Sequence, residues 1–157
     1  VRIYADVPAG TGGIGYSRPG QELWSRIFDP SQFTVREGFT GDQGWYDPEE
    51  GTYDLHDHTN FYQLNIENIV DPFEQTQGTI YWLGVQYGAT SYAGWKTSND
   101  AFTDLAVWWD NNSSAWLPLH DPVDQTRLDL AFVITPEPAS AMLLAFGGIA
   151  VLRRRHR

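Results

Sequence analysis

The sequence predicts an all-β fold, an antiparallel β-sandwich of jelly-roll type, followed by one C-terminal helix of transmembrane type. Aromatic residues make up 15% of the chain, a composition that favours strands. Gly, Pro, Asn and Asp recur every 8 to 12 residues, as expected for many short strands joined by turns. Before residue 136, no stretch keeps a helical apolar period for three turns. These observations predict a domain built of short strands.

Eight strands are predicted in order, at residues 1–7, 22–28, 33–39, 61–68, 78–87, 93–97, 105–110 and 127–134. The segment 79–87 has apolar residues on both faces, which predicts a central strand buried on both sides. In the last strand Leu128, Leu130, Phe132 and Ile134 alternate with their neighbours, which predicts a core-facing row. Loops are predicted between the strands at 8–20, 41–58, 98–103 and 111–125.

Residues 1–135 are long enough for one domain with its own core, and residues 136–157 form a separate tail. The chain has no cysteine, so disulfides do not contribute to its stability. It starts at Val1 in a strand-like alternation, which leads us to expect a signal peptide and further strands of the same domain upstream.

The chain is strongly acidic, with a formal net charge of −10. Four of its ten basic residues lie in the last five positions, so residues 1–152 carry six basic against twenty acidic side chains. Such a surface repels nucleic acid and attracts divalent cations. The sequence therefore predicts no nucleic-acid partner, although the charge is equally explained by the solubility of an exported domain.

The tail has three parts: Pro136, Glu137 and Pro138, then an apolar run at 139–152, then an arginine cluster of Arg153, Arg154, Arg155 and Arg157. A helix of 14 residues spans about 21 Å, less than the roughly 30 Å of a bilayer core. Length alone would also suit a buried helix. The arginines favour membrane lipid, because they can snorkel to headgroups on the cytoplasmic side and leave the domain outside.

This order of parts resembles the PEP-CTERM sorting signal of bacterial envelope proteins. The resemblance implies an exosortase-type processing enzyme as partner, with export, anchoring in the membrane through the C-terminus, and delivery to the cell surface or extracellular matrix. A simple tail anchor and a hydrophobic helix of the domain are the alternatives. Segments 77–83, 94–98, 106–108 and 128–134 resemble an uncharacterised domain of such proteins. This resemblance implies surface location and supports the fold, but the domain has no known activity, so function stays open.

The acidic stretch 41–58 is a candidate Ca²⁺ site, with oxygen ligands from Asp47, Glu49, Glu50, Asp54 and Asp57. Its spacing does not fit an EF-hand, and a solvated acidic hairpin is the alternative. His56 and His58 could also hold a transition metal if His120 or Asp54 supplied a third ligand.

Ring stacking on sugars is the second candidate chemistry, because aromatic residues in or beside loops can bind polysaccharide. The candidates are Trp45, Tyr46, Trp95, Trp109 and Trp116. The alternative is that these rings pack the interior, as large aromatics usually do in a β-sandwich.

No catalytic signature is found: the chain lacks a Gly-x-Ser-x-Gly elbow, a His-Glu-x-x-His motif and a phosphate-binding loop. With twenty acidic residues, a pair of carboxylates at glycosidase spacing would carry no information. We expect a non-enzymatic protein of the cell surface or extracellular matrix. The alternative is a carbohydrate-binding module, stabilised by calcium.

Overall fold

The computed structural model describes residues 1–88, 93–98 and 104–135, which form an antiparallel all-β structure without an α-helix. The all-β, antiparallel part of the prediction is therefore confirmed, and the predicted C-terminal helix lies outside the described residues. Within those ranges the strands are β1 (Arg2–Val7), β2 (Arg18–Ser25), β3 (Phe33–Asp47), β4 (Thr52–Ile66), β5 (Tyr81–Gly84), β6 (Thr97–Ser98), β7 (Val107–Asp110), β8 (Ala115–Pro118) and β9 (Asp129–Leu130). Short 3₁₀ helices lie at Thr11–Gly13 and Pro30–Gln32.

Strands β2, β1 and β5 form a three-stranded sheet in that order, with β1 in the centre. Ile3 on β1 is one of the few buried apolar side chains. The prediction of a central strand at 78–87 is wrong, because β5 lies at an edge of this sheet and covers only Tyr81–Gly84. Ile80 and Val85 lie just outside the paired stretch and are exposed, so apolar residues on both faces did not indicate burial here.

Strands β3 and β4 form a long hairpin of two 15-residue strands joined by a turn at 48–51. The prediction of a loop at 41–58 is therefore wrong. Neither strand has a fully buried side chain, so polar and acidic residues occupy most positions without any cost of desolvation. Asp47 Oδ1 accepts hydrogen bonds from the N–H groups of Glu49 and Glu50, which fixes the start of the turn.

Strands β7 and β8 form a second hairpin, with Asp110 opposite Ala115. Its turn is the polar segment 111–114, in which Ser114 has a positive φ of 50°. The carboxylate of Asp110 is buried and accepts hydrogen bonds from the N–H groups of Asn112 and Ser113 and from the Ser113 hydroxyl. The buried charge is therefore held by the turn that it stabilises.

Strands β6 and β9 pair over two residues each. The predicted core-facing row of the last strand is only partly buried: Leu128 and Leu130 are half-buried, whereas Phe132 and Ile134 are exposed. Asp129, predicted to face away from the core, is buried. The row is exposed because β9 ends at Leu130, and the chain beyond it is not covered by a partner sheet among the described residues.

Aromatic contacts join the small sheets to one another. The ring of Tyr4 on β1 meets Trp116 on β8 edge to face, with centroids 5.9 Å apart. The Tyr16 hydroxyl donates to the backbone carbonyl of Trp116 at 2.7 Å. Ala106, which is also buried, donates its N–H to the Leu128 carbonyl and accepts from the Leu119 N–H. The Tyr4–Trp116 ring contact thus connects the β1 sheet to the β7–β8 hairpin, and the Tyr16 hydroxyl adds a hydrogen bond to the same hairpin.

Candidate functional site

The middle of the β3–β4 hairpin carries a column of two rings and two cations. Phe39 and Phe61 lie directly opposite each other across the strands, with stacked rings 5.6 Å apart and 20° from parallel. The Arg36 guanidinium lies 5.4 Å from the centroid of Phe39, and Lys96 Nζ lies 4.7 Å from that of Phe61. Both distances permit cation–π attraction, so the column is stabilised by charge as well as by stacking.

Segment 93–98 lies across this hairpin. Lys96 Nζ donates a hydrogen bond to Gln43 Oε1, and the backbone of Gly94 lies against the ring of Trp45. A Cβ atom at position 94 would lie 2.6 Å from Trp45 Cζ3, a distance that side chains do not tolerate. Glycine is therefore required where the segment crosses the ring.

A shallow depression of about 170 Å³ lies beside the stacked rings, lined by Glu37, Gly38, Phe39, Asn60, Phe61 and Tyr62. It forms where β3 carries an extra residue between Arg36 and Phe39, with Gly38 at a φ of 92°. Glu37 supplies its only carboxylate. The lining therefore offers three rings, an amide and one acid, but not the acid and base pair that hydrolysis of a glycoside requires.

The five candidate sugar-stacking residues lie in three places. Trp45 and Tyr46 are half-buried on β3, and half-buried Trp95 donates its Nε1–H to the carbonyl of Ala131 at 2.7 Å. Trp109 and Trp116 are opposite each other on β7 and β8, with centroids 5.3 Å apart and rings inclined at 71°. This pair does not present a flat surface to a sugar. Trp109 is the most accessible of the five, at 45% exposed.

The five candidate calcium ligands are spread along the hairpin and its tip. Asp47 caps the turn, Glu49 accepts a hydrogen bond from the Asn111 amide of the β7–β8 turn, and Asp54 lies opposite Trp45. Asp57 pairs with the neighbouring His58. Among the described residues, no three His, Cys, Asp or Glu side chains converge into a group able to hold a metal ion.

The histidines of the hairpin are engaged by nearby carboxylates. His56 Nδ1 contacts Asp42 across the strands, and His58 Nδ1 lies 2.9 Å from Asp57 Oδ2. His120, named as a third ligand, lies in an isolated bridge with Arg127. The structure therefore places the three histidines in separate contacts.

Two aspartates of tight turns have shifted acidities. The Ser113 hydroxyl, helped by the N–H groups of Asn112 and Ser113, lowers the pKa of Asp110 from its ordinary value of 3.8. The side chain and N–H of Thr126 likewise lower the pKa of Asp124. Both shifts arise because hydrogen bonds favour the charged form, and both belong to turns rather than to a cleft.

The residues of the predicted sorting signal lie outside the described ranges. They are Pro136, Glu137, Pro138, Arg153, Arg154, Arg155 and Arg157. Within residues 1–88, 93–98 and 104–135, no helix has the length and apolar character needed to span a bilayer.

Sequence reasoning missed the column formed by Arg36, Phe39, Phe61 and Lys96. Phe39 and Phe61 were placed at the ends of two predicted strands, but the pairing of those strands was not predicted. An aromatic residue near the facing ends of two strands is a signal for such a pair. No local signal indicates that Lys96 reaches Phe61 from 35 positions away.

The fold and this surface define an antiparallel all-β domain with ring contacts, in whose described residues no metal-binding group of His, Cys, Asp or Glu side chains is found. Residues 1–135 match a family described as a domain of unknown function (DUF7901). The chain belongs to this family. No curated protein matches the sequence. No solved structure matches it.

Proposed function

We propose that this protein is an exported, non-enzymatic component of the cell surface or extracellular matrix, delivered by its C-terminal tail. The observation that carries the proposal is the order of the tail, in which Pro136, Glu137 and Pro138 precede an apolar run and an arginine cluster. The family match supports this division, because it ends at residue 135 and the tail begins at the next position.

The chemistry of the tail supports a membrane-embedded intermediate. The apolar run at 139–152 has no charged side chain, and the arginines that follow it favour the cytoplasmic headgroup region. The Pro-Glu-Pro entry would hold the chain extended at the outer face, where an exosortase-type enzyme could cleave it. Release would leave an acidic domain that stays soluble in a polysaccharide matrix.

We infer further that the small sheets form the two layers of a β-sandwich. The Tyr4–Trp116 contact and the Tyr16 hydrogen bond support this arrangement, because they connect the three-stranded sheet to the β7–β8 hairpin. Such a layered domain with exposed loops suits a structural or adhesive role.

The test is to replace Pro136, Glu137 and Pro138 with alanine in the full-length precursor, expressed in a host with an exosortase. We expect the wild type to lose its tail and leave the membrane fraction, and the variant to remain there uncleaved. A matched control replaces Leu143 and Leu144 with isoleucine, which keeps the apolar run. Cleavage of the alanine variant at the wild-type rate would refute the proposal.

Glycan binding is the second candidate, and the exposure of Trp109 on β7 favours it. A glycan array probed with the full chain and with Trp109→Ala tests this function. Tyr87→Ala, which removes another exposed ring, is the control. Loss of a signal only in the Trp109 variant would support a sugar site on β7, and identical arrays would exclude one there.

A further inference from the structure

The outer edge of β4 is regular and, among the described residues, unpaired. β4 is hydrogen-bonded to β3 alone. At the two register shifts between Arg36 and Gln43 the extra residue lies on β3. β4 departs from regular extended geometry at His56, which has a φ of 57°. The stretch from Asn60 to Ile66 is therefore extended without interruption.

This edge lacks the devices by which proteins usually block edge pairing. Residues 59–66 contain no charged side chain, no glycine and no proline, although charges flank them at Asp57 and Glu67. Natural edge strands are normally protected by lysine, proline or a bulge. An uncharged segment of seven or more residues with high β-propensity favours pairing with another strand.

One face of the hairpin beside this edge is apolar and exposed. Val35 and Leu64 are directly opposite each other, and Tyr62 lies on the same face one alternation away. These side chains are 50%, 57% and 55% exposed. A two-stranded hairpin with an exposed apolar face has marginal stability in water, whereas three or more strands can cover such a face.

We propose that two copies of this chain pair antiparallel through β4, forming a four-stranded sheet in the order β3, β4, β4 of the partner, β3 of the partner. Residues directly opposite each other in an antiparallel ladder are either both hydrogen-bonded or both not. A two-fold axis between identical strands must therefore set one residue opposite its own copy. An axis at Gln63 pairs the seven residues 60–66 and sets Tyr62 opposite the partner's Leu64. Two apolar cross-strand contacts then form per dimer.

Charge selects this register over its neighbours. With the axis at Gln63, no carboxylate lies opposite another carboxylate, because Glu67 faces the uncharged Thr59 of the other copy. An axis one residue earlier would set Asp57 opposite the partner's Glu67, which is repulsive. An axis one residue later would shorten the ladder to five pairs and set Phe61 against the partner's Glu67.

The lack of charged side chains along this edge favours a second copy over a basic partner. The window 59–66 offers no carboxylate to a cationic peptide, whereas an identical uncharged strand matches it along its length. The rest of each chain is acidic and repels its copy, with a net charge of −10. The association should therefore tighten as salt screens this repulsion, opposite to the behaviour of a complex held by ion pairs.

The absence of cysteine permits a direct test by cross-linking. In Gln63→Cys, expressed as the full chain and kept in mild detergent, the two Cα atoms would lie about 4.5 to 5.5 Å apart, within the range of a disulfide. Thr59→Cys is the matched control on the same strand, where the two Cα atoms would be about 26 Å apart. Ile27→Cys, at a side chain 88% exposed, controls for random collision.

We expect the disulfide dimer of Gln63→Cys to exceed that of either control by about tenfold. Equal cross-linking at all three positions, or none at Gln63→Cys, would overturn the proposal.

Sedimentation of cysteine-free chains adds a second measurement. Leu64→Lys should weaken dimerisation by roughly tenfold, because it removes both apolar contacts and adds charge at the edge. Val123→Lys makes the same change in an exposed turn and should not. A dimer unaffected by Leu64→Lys would also overturn it, since association would then not depend on the edge of β4.

Discussion

Substituting Gly94 by alanine tests the contact between segment 93–98 and the β3–β4 hairpin. The new Cβ would lie 2.6 Å from Trp45 Cζ3 and 3.2 Å from Cε3, so the ring or the segment must shift. Overpacking of this kind costs about 1 to 3 kcal/mol. The lower chain entropy of alanine in the unfolded state offsets roughly 0.4 to 1 kcal/mol of this cost. We therefore expect a net loss of about 1 to 2 kcal/mol.

The assay is thermal unfolding of the full chain in mild detergent, followed by circular dichroism. For a chain of this length, each kcal/mol lowers Tm by about 2 to 4 °C, so Gly94→Ala should lower Tm by roughly 2 to 8 °C. Gly88→Ala is the matched control, because a Cβ at position 88 would meet no atom within 4 Å. Its Tm should be unchanged or slightly raised.

A double-mutant cycle with Trp45→Ala identifies the cause. Once the ring is absent, Gly94→Ala should behave like Gly88→Ala, giving a coupling energy of about 1 kcal/mol or more. Equal Tm values for Gly94→Ala and Gly88→Ala in the wild-type background would refute the contact. A penalty that persists in the Trp45→Ala background would show that the strain arises in the backbone and not at the ring.

Three further predictions concern the turns and the ring column. Because hydrogen bonds lower the folded pKa of Asp110 below its ordinary 3.8, this group stabilises the fold above about pH 4 and ceases to do so as pH falls through the lowered value. Ser113→Ala should thus lower Tm at pH 7, and its Tm should approach that of the wild type as the pH falls below the lowered pKa of Asp110; a Tm difference that is constant with pH would contradict this. Ser114→Gly should raise stability by about 1 kcal/mol in urea titrations, since Ser114 has a φ of 50°, and a loss would show that this strain is absent. Lys96→Met should lower stability by about 0.5 to 1 kcal/mol through loss of the contact with Phe61, and equal urea midpoints for the two proteins would contradict that contribution.

The sequence predicted those parts of the fold whose signals are local. The all-β class follows from aromatic content and the spacing of turn residues, and the strands at 1–7 and 105–110 lie close to β1 and β7. The strands predicted at 33–39 and 61–68 lie in β3 and β4, but the rest of the long hairpin was missed because alternation indicates a strand only when one face is buried. At 41–58 neither face is buried, and polar residues therefore hid two strands.

The candidate site was predictable only where its contacts are short in sequence. Asp47 accepts hydrogen bonds from the N–H groups of Glu49 and Glu50, two and three positions later, and this spacing is typical of a turn. The contact of Lys96 with Phe61 and that of Gly94 with Trp45 depend on how a distant segment crosses the hairpin. The residue types along the chain do not predict where a distant segment packs on the hairpin. The tail remains a prediction from residue order.

The two-residue pairing of β6 with β9 determines how the domain would respond to tension. Ala131 donates its N–H to the carbonyl of Lys96, and the pairs of Thr97 with Leu130 and Ser98 with Asp129 follow behind it. Because the strands are antiparallel, a load applied from beyond residue 135 would peel these bonds one at a time instead of shearing them together. A pull on that end would therefore detach residues 129–131 from segment 93–98 at low force.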